Sequence, residues 1–297
     1  MTTDPHISVV TPSFQQIDYL SDNLTSISSQ RYADVEHLVL DAGSDDGTVD
    51  LLREYESTAD HSVWWRSESD DGQSAAINEG FDRASGSIVG WLNSDDVYFD
   101  TTTLSRVKRW FDRTGADVIY GDLAYVDSRS RVTEIDVRPE FDREKLAYRI
   151  VIGQPATFFR REVVKSEQLD VGLNYCMDYE FWIRLSRNYD IRHVRDVLAG
   201  FRRHEAQKTD DMSPVNAEVK TMLDRYRDEL PEPQRVLLNN ASTELQRIVQ
   251  GGQETVSLHR NEPELAFDGE LAPLSQMLFN LGPGFEDVRK ALRRWQR

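Results

Sequence analysis

The segment from Gly86 to Asp96 reads GSIVGWLNSDD and joins an apolar run to a cluster of polar residues. The run from Gly86 to Leu92 predicts a short buried strand. Two carboxylates, Asp95 and Asp96, follow it. In α/β sheets, ligand crevices lie at the carboxyl ends of the strands. Adjacent carboxylates repel each other unless a cation is present, and hard divalent cations prefer oxygen ligands. The segment therefore predicts a Mg²⁺ or Mn²⁺ site for a phosphate-bearing substrate. The simpler alternative is an Asp-rich turn or a helix N-cap.

The composition indicates a soluble protein that does not bind nucleic acid. A length of 297 residues allows one large domain, or a domain with an appendage. A net charge of -17 argues against phosphate-backbone binding, which needs a basic face. The single cysteine, Cys176, excludes an intramolecular disulfide. The polar start of the chain and the lack of a membrane-length apolar run favour a cytoplasmic location.

Strands and helices alternate in the first part of the chain. This alternation predicts a mostly parallel, doubly wound α/β sheet. After Gly121 the pattern changes to antiparallel strands at 123–132 and 133–137 and an amphipathic helix at 180–187, and from Met212 the chain is polar and helical. We expect a catalytic domain at 1–211, with halves at 6–121 and 122–211, and a helical region at 212–297. The predicted strands are 7–10, 36–40, 63–65, 88–92 and 118–120, and the predicted helices are 17–30, 48–55, 75–84 and 103–113.

Two loops should meet the acidic cluster at the same edge of the sheet. One contains Pro12 and Phe14, and the other begins at Asp41. An Asp at the end of the second strand can accept hydrogen bonds from a ribose or a base. A dinucleotide-binding fold, however, needs a glycine-rich turn after its first strand. The first loop reads TPSFQ and has no glycine, so NAD and FAD are disfavoured.

Five ordered motifs over residues 6–208 resemble the family 2 glycosyltransferases, which have the GT-A fold. VVTPSF, which ends at Phe14, is similar to that family's first strand and loop. DAGSDDGT, from Asp41, is similar to its D-x-S-x-D-G-T segment. DGQSAAINEG, from Asp71, is similar to the helix before its metal strand, and Asn93-Ser94-Asp95 stands at its D-x-D motif. The fifth motif is NYCMDYEFW, from Asn174, and it corresponds to the segment that carries the family's catalytic base.

The resemblance implies a role for each matching residue. Asp41 is expected to bind the nucleobase and Asp95 to ligate Mn²⁺ or Mg²⁺. The first D-x-D position is Asn93, which supplies one negative charge less to a cation, so either Asn93 or Asp96 could assist Asp95. On this basis, replacing Asn93 with Asp should retain activity. The residues expected to contact the nucleotide sugar are Pro12, Phe14, Asp41, Gln73, Asn78, Asn93, Ser94 and Arg202.

Two further roles follow from the resemblance. Asp178 is expected to be the catalytic base, with Glu180 as its competitor and a helix N-cap as the structural alternative. His204 is expected to close the metal or pyrophosphate site, since neutral imidazole can ligate Mn²⁺. The adjacent Arg202 could pair with phosphate, although a surface basic cluster explains both residues as well.

The implied reaction is an inverting transfer of sugar from a nucleoside diphosphate, with uridine favoured, to a hydroxyl of a glycan or lipid-linked acceptor. Asp178 would take the hydroxyl proton. A nucleotidyltransferase is one alternative, although the basic, glycine-rich loop that usually holds a triphosphate is absent after strand one. A non-catalytic nucleotide-sugar-binding protein is the other. The sequence identifies neither the sugar nor the acceptor.

The final residues reverse the charge of the chain. Five arginines and lysines lie in 289–297, beside an apolar stripe of Phe285, Val288, Leu292 and Trp295 at helical spacing. Such a helix can lie on an anionic membrane and hold the enzyme there peripherally. The alternative is that the stripe packs on the catalytic domain or on a second subunit, as in a homodimer.

Overall fold

The computed structural model describes residues 6–32, 34–147, 150–204, 207 and 212–230. The strands are β1 Ile7–Ser13, β2 Val35–Asp41, β3 Ser62–Ser67, β4 Ile88–Trp91, β5 Val97–Tyr98, β6 Val118–Val126, β7 Val132–Asp136, β8 Thr157–Arg160 and β9 Ile191–Arg202. The α-helices are α1 Ile17–Ser28, α2 Thr48–Thr58, α3 Gln73–Arg83, α4 Thr103–Thr114, α5 Arg161–Ser166, α6 Met177–Leu185 and α7 Met212–Arg225. The strands form one sheet in the order β3-β2-β1-β4-β8-β6-β9-β5, with β7 paired to β6.

The first half of the sheet is parallel. Strand β1 pairs with β2 and β4, and β2 pairs with β3, all in parallel register. Every residue of β1 is buried, as expected for a strand covered on both faces. Helix α3 lies close against β1 because Gly80 has no side chain; a Cβ at Gly80 would overlap Val10. The predicted α/β architecture is confirmed.

The second half of the sheet is mixed, so the prediction of a mostly parallel sheet is accurate only for β1 to β4. Strand β8 runs antiparallel to both β4 and β6, whereas β6 and β9 are parallel. The region predicted as a short strand followed by a hairpin is one continuous strand, β6, and then β7. The prediction missed β5 and β8 because two and four residues are too few to show a period.

The short strand β5 places the acidic turn of residues 93–96. It pairs antiparallel with β9, with Val97 opposite Gly200. The turn that precedes β5 therefore lies beside the end of β9. This pairing brings Asp95 and Asp96 next to residues more than 100 positions away in the sequence, among them Arg202.

The chain divides into two compact units, drawn from 1–141 with 151–211 and from 142–150 with 212–297. In the second unit, the Arg143 guanidinium donates to the Glu229 carbonyl at 3.2 Å. The domain boundary at 211 stays a prediction. Among the described residues, none of the helices combines the length and apolarity that a membrane span requires. The predicted membrane-binding tail lies outside the described residues.

Candidate active site

A cavity of about 660 Å³ opens at the carboxyl ends of β1, β2 and β4, where α3 and α6 begin. Its position agrees with the edge of the sheet at which the loops were expected to meet. The predicted site residues that line it are Pro12, Phe14, Gln73, Asn93, Ser94, Asp95 and Asp178. Two predicted groups, the acidic turn and the catalytic base, therefore face one space.

Asp95 and His204 form a pair at this cavity. His204 Nε2 lies 3.2 Å from Asp95 Oδ2, and the side chains are 2% and 24% exposed, respectively. Two ligands at right angles, each about 2.1 Å from a cation, are about 3.0 Å apart. The spacing of the pair therefore fits neighbouring ligands of one divalent cation. The imidazole also packs against the Tyr19 ring, with centroids 4.4 Å apart, which fixes its position.

Few side chains at this position could ligate a metal ion. The residues that the structure describes contain no group of three or more His, Cys, Asp or Glu side chains arranged to hold a metal. One buried oxygen nearby, Asp96 Oδ2, has no hydrogen-bond partner, and neither has His204 Nδ1. An unpaired buried carboxylate oxygen beside a carboxylate–imidazole pair is consistent with an ion at this position. The residues thus fit a cation for which substrate oxygens or water complete the ligand shell, as is usual for Mg²⁺.

Asp96 is held within the protein. Its Oδ1 accepts the backbone N–H of Arg202 at 3.0 Å, and its side chain is buried. Burial, reinforced by the neighbouring charge of Asp95, raises the pKa of Asp96 well above its ordinary value. Asp96 therefore anchors the acidic turn to β9 through one oxygen.

Arg202 does not contact the cavity, contrary to its predicted pairing with phosphate. Its side chain is 0% exposed. The guanidinium donates to the carbonyls of Asp95 at 2.7 Å and Asp127 at 3.0 Å, and to the side chains of Asp22 at 3.0 Å and Ser130 at 2.9 Å. These bonds use four of the five N–H groups of the guanidinium, and its burial keeps it away from a ligand. Arg202 instead stabilises the acidic turn through its hydrogen bond to the Asp95 carbonyl.

Replacing Arg202 with Met should therefore lower the free energy of unfolding by more than it lowers the free energy of nucleotide-sugar binding to the folded protein. Two buried carbonyls would lose their partner, at about 1–3 kcal/mol each. We expect urea denaturation to show a loss of roughly 3 kcal/mol. The matched control is Arg203→Met, because Arg203 is exposed, pairs with Glu134 at 3.6 Å and should cost about 1 kcal/mol or less. Equal stability of the two variants would contradict this role.

Asn78 and Asp41 also lie outside the cavity lining. The Asn78 amide exchanges two hydrogen bonds with the backbone of Leu169, at 3.0 and 2.8 Å. This pairing argues against the predicted contact between Asn78 and the nucleotide sugar. Its amide instead ties α3 to the chain segment that leads to α6.

Asp41 is buried at the end of β2. Its carboxylate accepts hydrogen bonds from the hydroxyls of Ser44 and Ser67, both at 2.6 Å, and from the N–H groups of Gly43 and Ser44. Asp41 therefore shapes the loop beside the cavity. Its predicted contact with a nucleobase stays a prediction.

Asn93 is held by three neighbours. Its amide oxygen accepts hydrogen bonds from the Trp91 indole at 2.8 Å and from Gln73 at 3.1 Å, and its NH₂ donates to Gln154 at 3.1 Å. Gln154 in turn donates to the Trp91 carbonyl at 2.7 Å. The sequence gives no signal that Gln154 contacts the acidic turn. No local pattern links residues 61 positions apart.

Asp178 lies in the first turn of α6 and lines the cavity. It is not the N-cap, which is Cys176, and that cysteine makes no capping hydrogen bond. Burial raises the pKa of Asp178 to about 6, although the Tyr179 N–H and the charge of Arg138 lower it. A carboxylate with this pKa is ionised at neutral pH and is a stronger base than an ordinary Asp.

Glu180 is unsuited to act as the base. It is buried, and it accepts hydrogen bonds from the Arg184 guanidinium at 3.0 and 2.9 Å. Its ion pair stabilises α6 internally, and Glu180 does not line the cavity. The geometry thus favours Asp178 over its competitor.

The raised pKa of Asp178 predicts an acid limb in the pH profile of transfer. Only the ionised carboxylate can accept a proton, so kcat/KM should fall about tenfold per pH unit below pH 6. Steady-state rates from pH 4.5 to 8 would show this. Glu180→Gln should keep the limb, whereas a flat profile across this range would contradict the assignment.

Comparison with known proteins identifies the family of the chain. The model of the family described as "Glycosyl transferase family 2" matches residues 8–204. An uncharacterized glycosyltransferase of Mycobacterium tuberculosis is 28% identical over 76% of this chain and 86% of its own length. A PGL/p-HBAD biosynthesis glycosyltransferase of Mycobacterium bovis is 26% identical over 66% of this chain and 77% of its own length.

Solved structures show the same fold. S. aureus TarS in complex with UDP-GlcNAc superposes with a TM-score of 0.62 at 18% identity, over 84% of this chain and 76% of the TarS chain. The mannosyltransferase PcManGT of Pyrobaculum calidifontis, in complex with GDP-Man and Mn²⁺, gives a TM-score of 0.62 at 16% identity, over 85% and 77%. Because the family model covers more than half of the chain, the chain belongs to glycosyl transferase family 2, with the GT-A fold.

Proposed function

We propose that the protein transfers a sugar from a nucleoside-diphosphate sugar, with UDP as the favoured nucleotide, to an acceptor hydroxyl with inversion. The observation that carries this proposal is the position of Asp178, which lines the same cavity as Asp95, the partner of His204. One group is suited to receive a proton, and the other is suited to hold the cation of a diphosphate. The structural neighbours were crystallised with UDP-GlcNAc and with GDP-Man and Mn²⁺, which supports this class of donor.

The reaction is a single displacement. Asp178 accepts the proton of the acceptor hydroxyl, whose oxygen bonds to the anomeric carbon as the bond to the diphosphate breaks. The electron pair of the broken bond leaves with the nucleoside diphosphate. Asp95 and His204 would hold Mn²⁺ or Mg²⁺, which stabilises negative charge on the leaving group. Since the attack is opposite to the leaving group, the sugar configuration inverts.

The acceptor is proposed to be a hydroxyl of a glycan or a glycolipid. The PGL/p-HBAD biosynthesis glycosyltransferase among the relatives supports this class of acceptor. The match of the glycosyl transferase family 2 model to residues 8–204 argues against the nucleotidyltransferase alternative. Asp178, a base that lines the cavity, argues against a non-catalytic binding protein.

A panel of nucleotide sugars tests the proposal. Thermal unfolding in the presence of Mn²⁺ should show a higher midpoint with one donor, because a ligand that binds only the folded state stabilises it by mass action. The same donor should then be slowly hydrolysed. Absence of any midpoint shift across UDP-, GDP- and dTDP-sugars would contradict the proposal, and binding without hydrolysis would favour the non-catalytic alternative.

A further inference from the structure

The amide groups around Asn93 form a closed hydrogen-bonded set, here called the amide latch, which comprises Trp91, Asn93, Gln154 and Gln73. Two groups of Trp91 that cannot reverse their role fix the orientations of the Asn93 and Gln154 amides. The Trp91 indole is a donor only, so the atom of Asn93 that faces it must be the oxygen. The Trp91 carbonyl is an acceptor only, so the atom of Gln154 that faces it must be the NH₂ group.

These two constraints meet between Asn93 and Gln154. The NH₂ of Asn93 and the oxygen of Gln154 face each other at 3.1 Å, which makes a donor–acceptor pair. A carboxylate at position 93 would set two oxygens against each other. Gln154 could not relieve this by rotation, because its oxygen would then face the Trp91 carbonyl, 2.7 Å from the present NH₂. The position therefore requires an amide.

The latch also occupies the oxygen of Asn93. Two donors, from Trp91 and Gln73, already fill the usual capacity of an amide oxygen. Asn93 is thus bound to the protein on every polar atom. Asp95, at the other end of the same turn, and its partner His204 remain suited to a cation, together with the unpaired Oδ2 of Asp96.

We propose that Gln154 is a positioning residue of the donor site, and that the amide latch it forms with Asn93 holds the acidic turn in the geometry that binds the cation with the nucleoside diphosphate. This inference rests on the proposed function. Gln154 lies at the start of the segment leading into β8, 61 residues from Asn93, and joins that segment to β4. The Asn at position 93 is matched to Gln154, whose oxygen accepts its N–H. The proposal therefore reverses the expectation that Asn93→Asp retains activity.

A double-mutant cycle tests the inference with Asn93→Asp, Gln154→Met and the double variant. Met keeps the length of Gln but removes the opposing oxygen. The readout is the calorimetric affinity for UDP with Mn²⁺, together with the unfolding temperature of each ligand-free variant. We expect Asn93→Asp to weaken UDP binding about tenfold when Gln154 is present and about threefold or less when Met replaces it, because the opposed acceptors would push the acidic turn out of the geometry that binds the cation.

Other outcomes would overturn the inference. If the added carboxylate acted on the cation directly, Asn93→Asp would change the affinity equally in both backgrounds. If Gln154 were merely structural, Gln154→Met would lower the unfolding temperature and leave UDP affinity unchanged. Failure of the wild type to bind any nucleoside diphosphate with Mn²⁺ would refute the proposed function instead. In that case, equal unfolding temperatures for Asn93→Asp and wild type would separately refute the latch.

Discussion

Replacing Asp178 with Asn should lower sugar transfer by about 10²-fold or more, because the amide cannot accept the proton of the acceptor hydroxyl. Donor affinity should stay near that of the wild type, since the change leaves the Asp95–His204 pair intact. Steady-state transfer and calorimetric donor binding measure the two effects separately. Asp50→Asn, on the exposed side of α2, is the matched control and should transfer normally.

The same variant should be more stable than the wild type at pH 7. The pKa of Asp178 is about 6 in the folded protein and near 3.8 as the ordinary value, so the folded state holds this proton more tightly. Asp178 therefore lowers stability as the pH rises from about 4 to 6, and the deficit persists above pH 6. Asn has no charge to bury, so the unfolding temperature should rise.

Normal transfer by Asp178→Asn, with loss of transfer in Glu180→Gln, would identify Glu180 as the base.

Asp95→Ala should remove metal-dependent donor binding and lower transfer by roughly 10³-fold, since a bound cation supplies several kcal/mol of charge stabilisation. The variant loses a carboxylate ligand and the partner of His204 Nε2. Calorimetric titration of the nucleotide sugar into each protein, with and without Mn²⁺, measures the loss of metal-dependent binding. Asp95→Asn keeps the shape of the turn and should show the same defect.

A fold defect would be visible in the controls. The Asp95 backbone carbonyl, which accepts from Arg202, is unchanged in both variants. Both variants should therefore still unfold in one cooperative transition, with the midpoint lowered only by the lost partner of His204. Turnover by Asp95→Ala at the wild-type rate in buffer freed of divalent cations would contradict the assignment of Asp95 as a ligand.

The sequence predicts the parts of the site that are local. Strands β1, β2 and β4 are largely buried, and the residues at and directly after their carboxyl ends must lie at one edge of a parallel sheet. Pro12, Phe14, Asn93 and Asp95 reach the cavity for this reason. The first turn of α6 carries Asp178 to the same cavity, as the family resemblance implies.

The parts that the sequence mispredicts depend on contacts between distant segments. Arg202 and Asn78 have the chemistry of ligand-binding residues, yet their hydrogen-bonding groups are used by the carbonyl of Asp95 and the backbone of Leu169. Gln154 becomes important only because β8 pairs with β4 and brings it beside Asn93. The alternation of apolar residues gives no information about which buried backbone groups need a partner.

The anomeric configuration of the first sugar released from a nucleotide sugar tests the central claim most directly. The donor is the one selected by thermal shift, and proton NMR follows its hydrolysis with Mn²⁺ before the free sugar equilibrates. Water replaces the acceptor hydroxyl, so Asp178 should direct a single displacement and an α-linked donor should first give the β-sugar. Initial release of the α-sugar, or equal release by Asp178→Asn, would contradict the account.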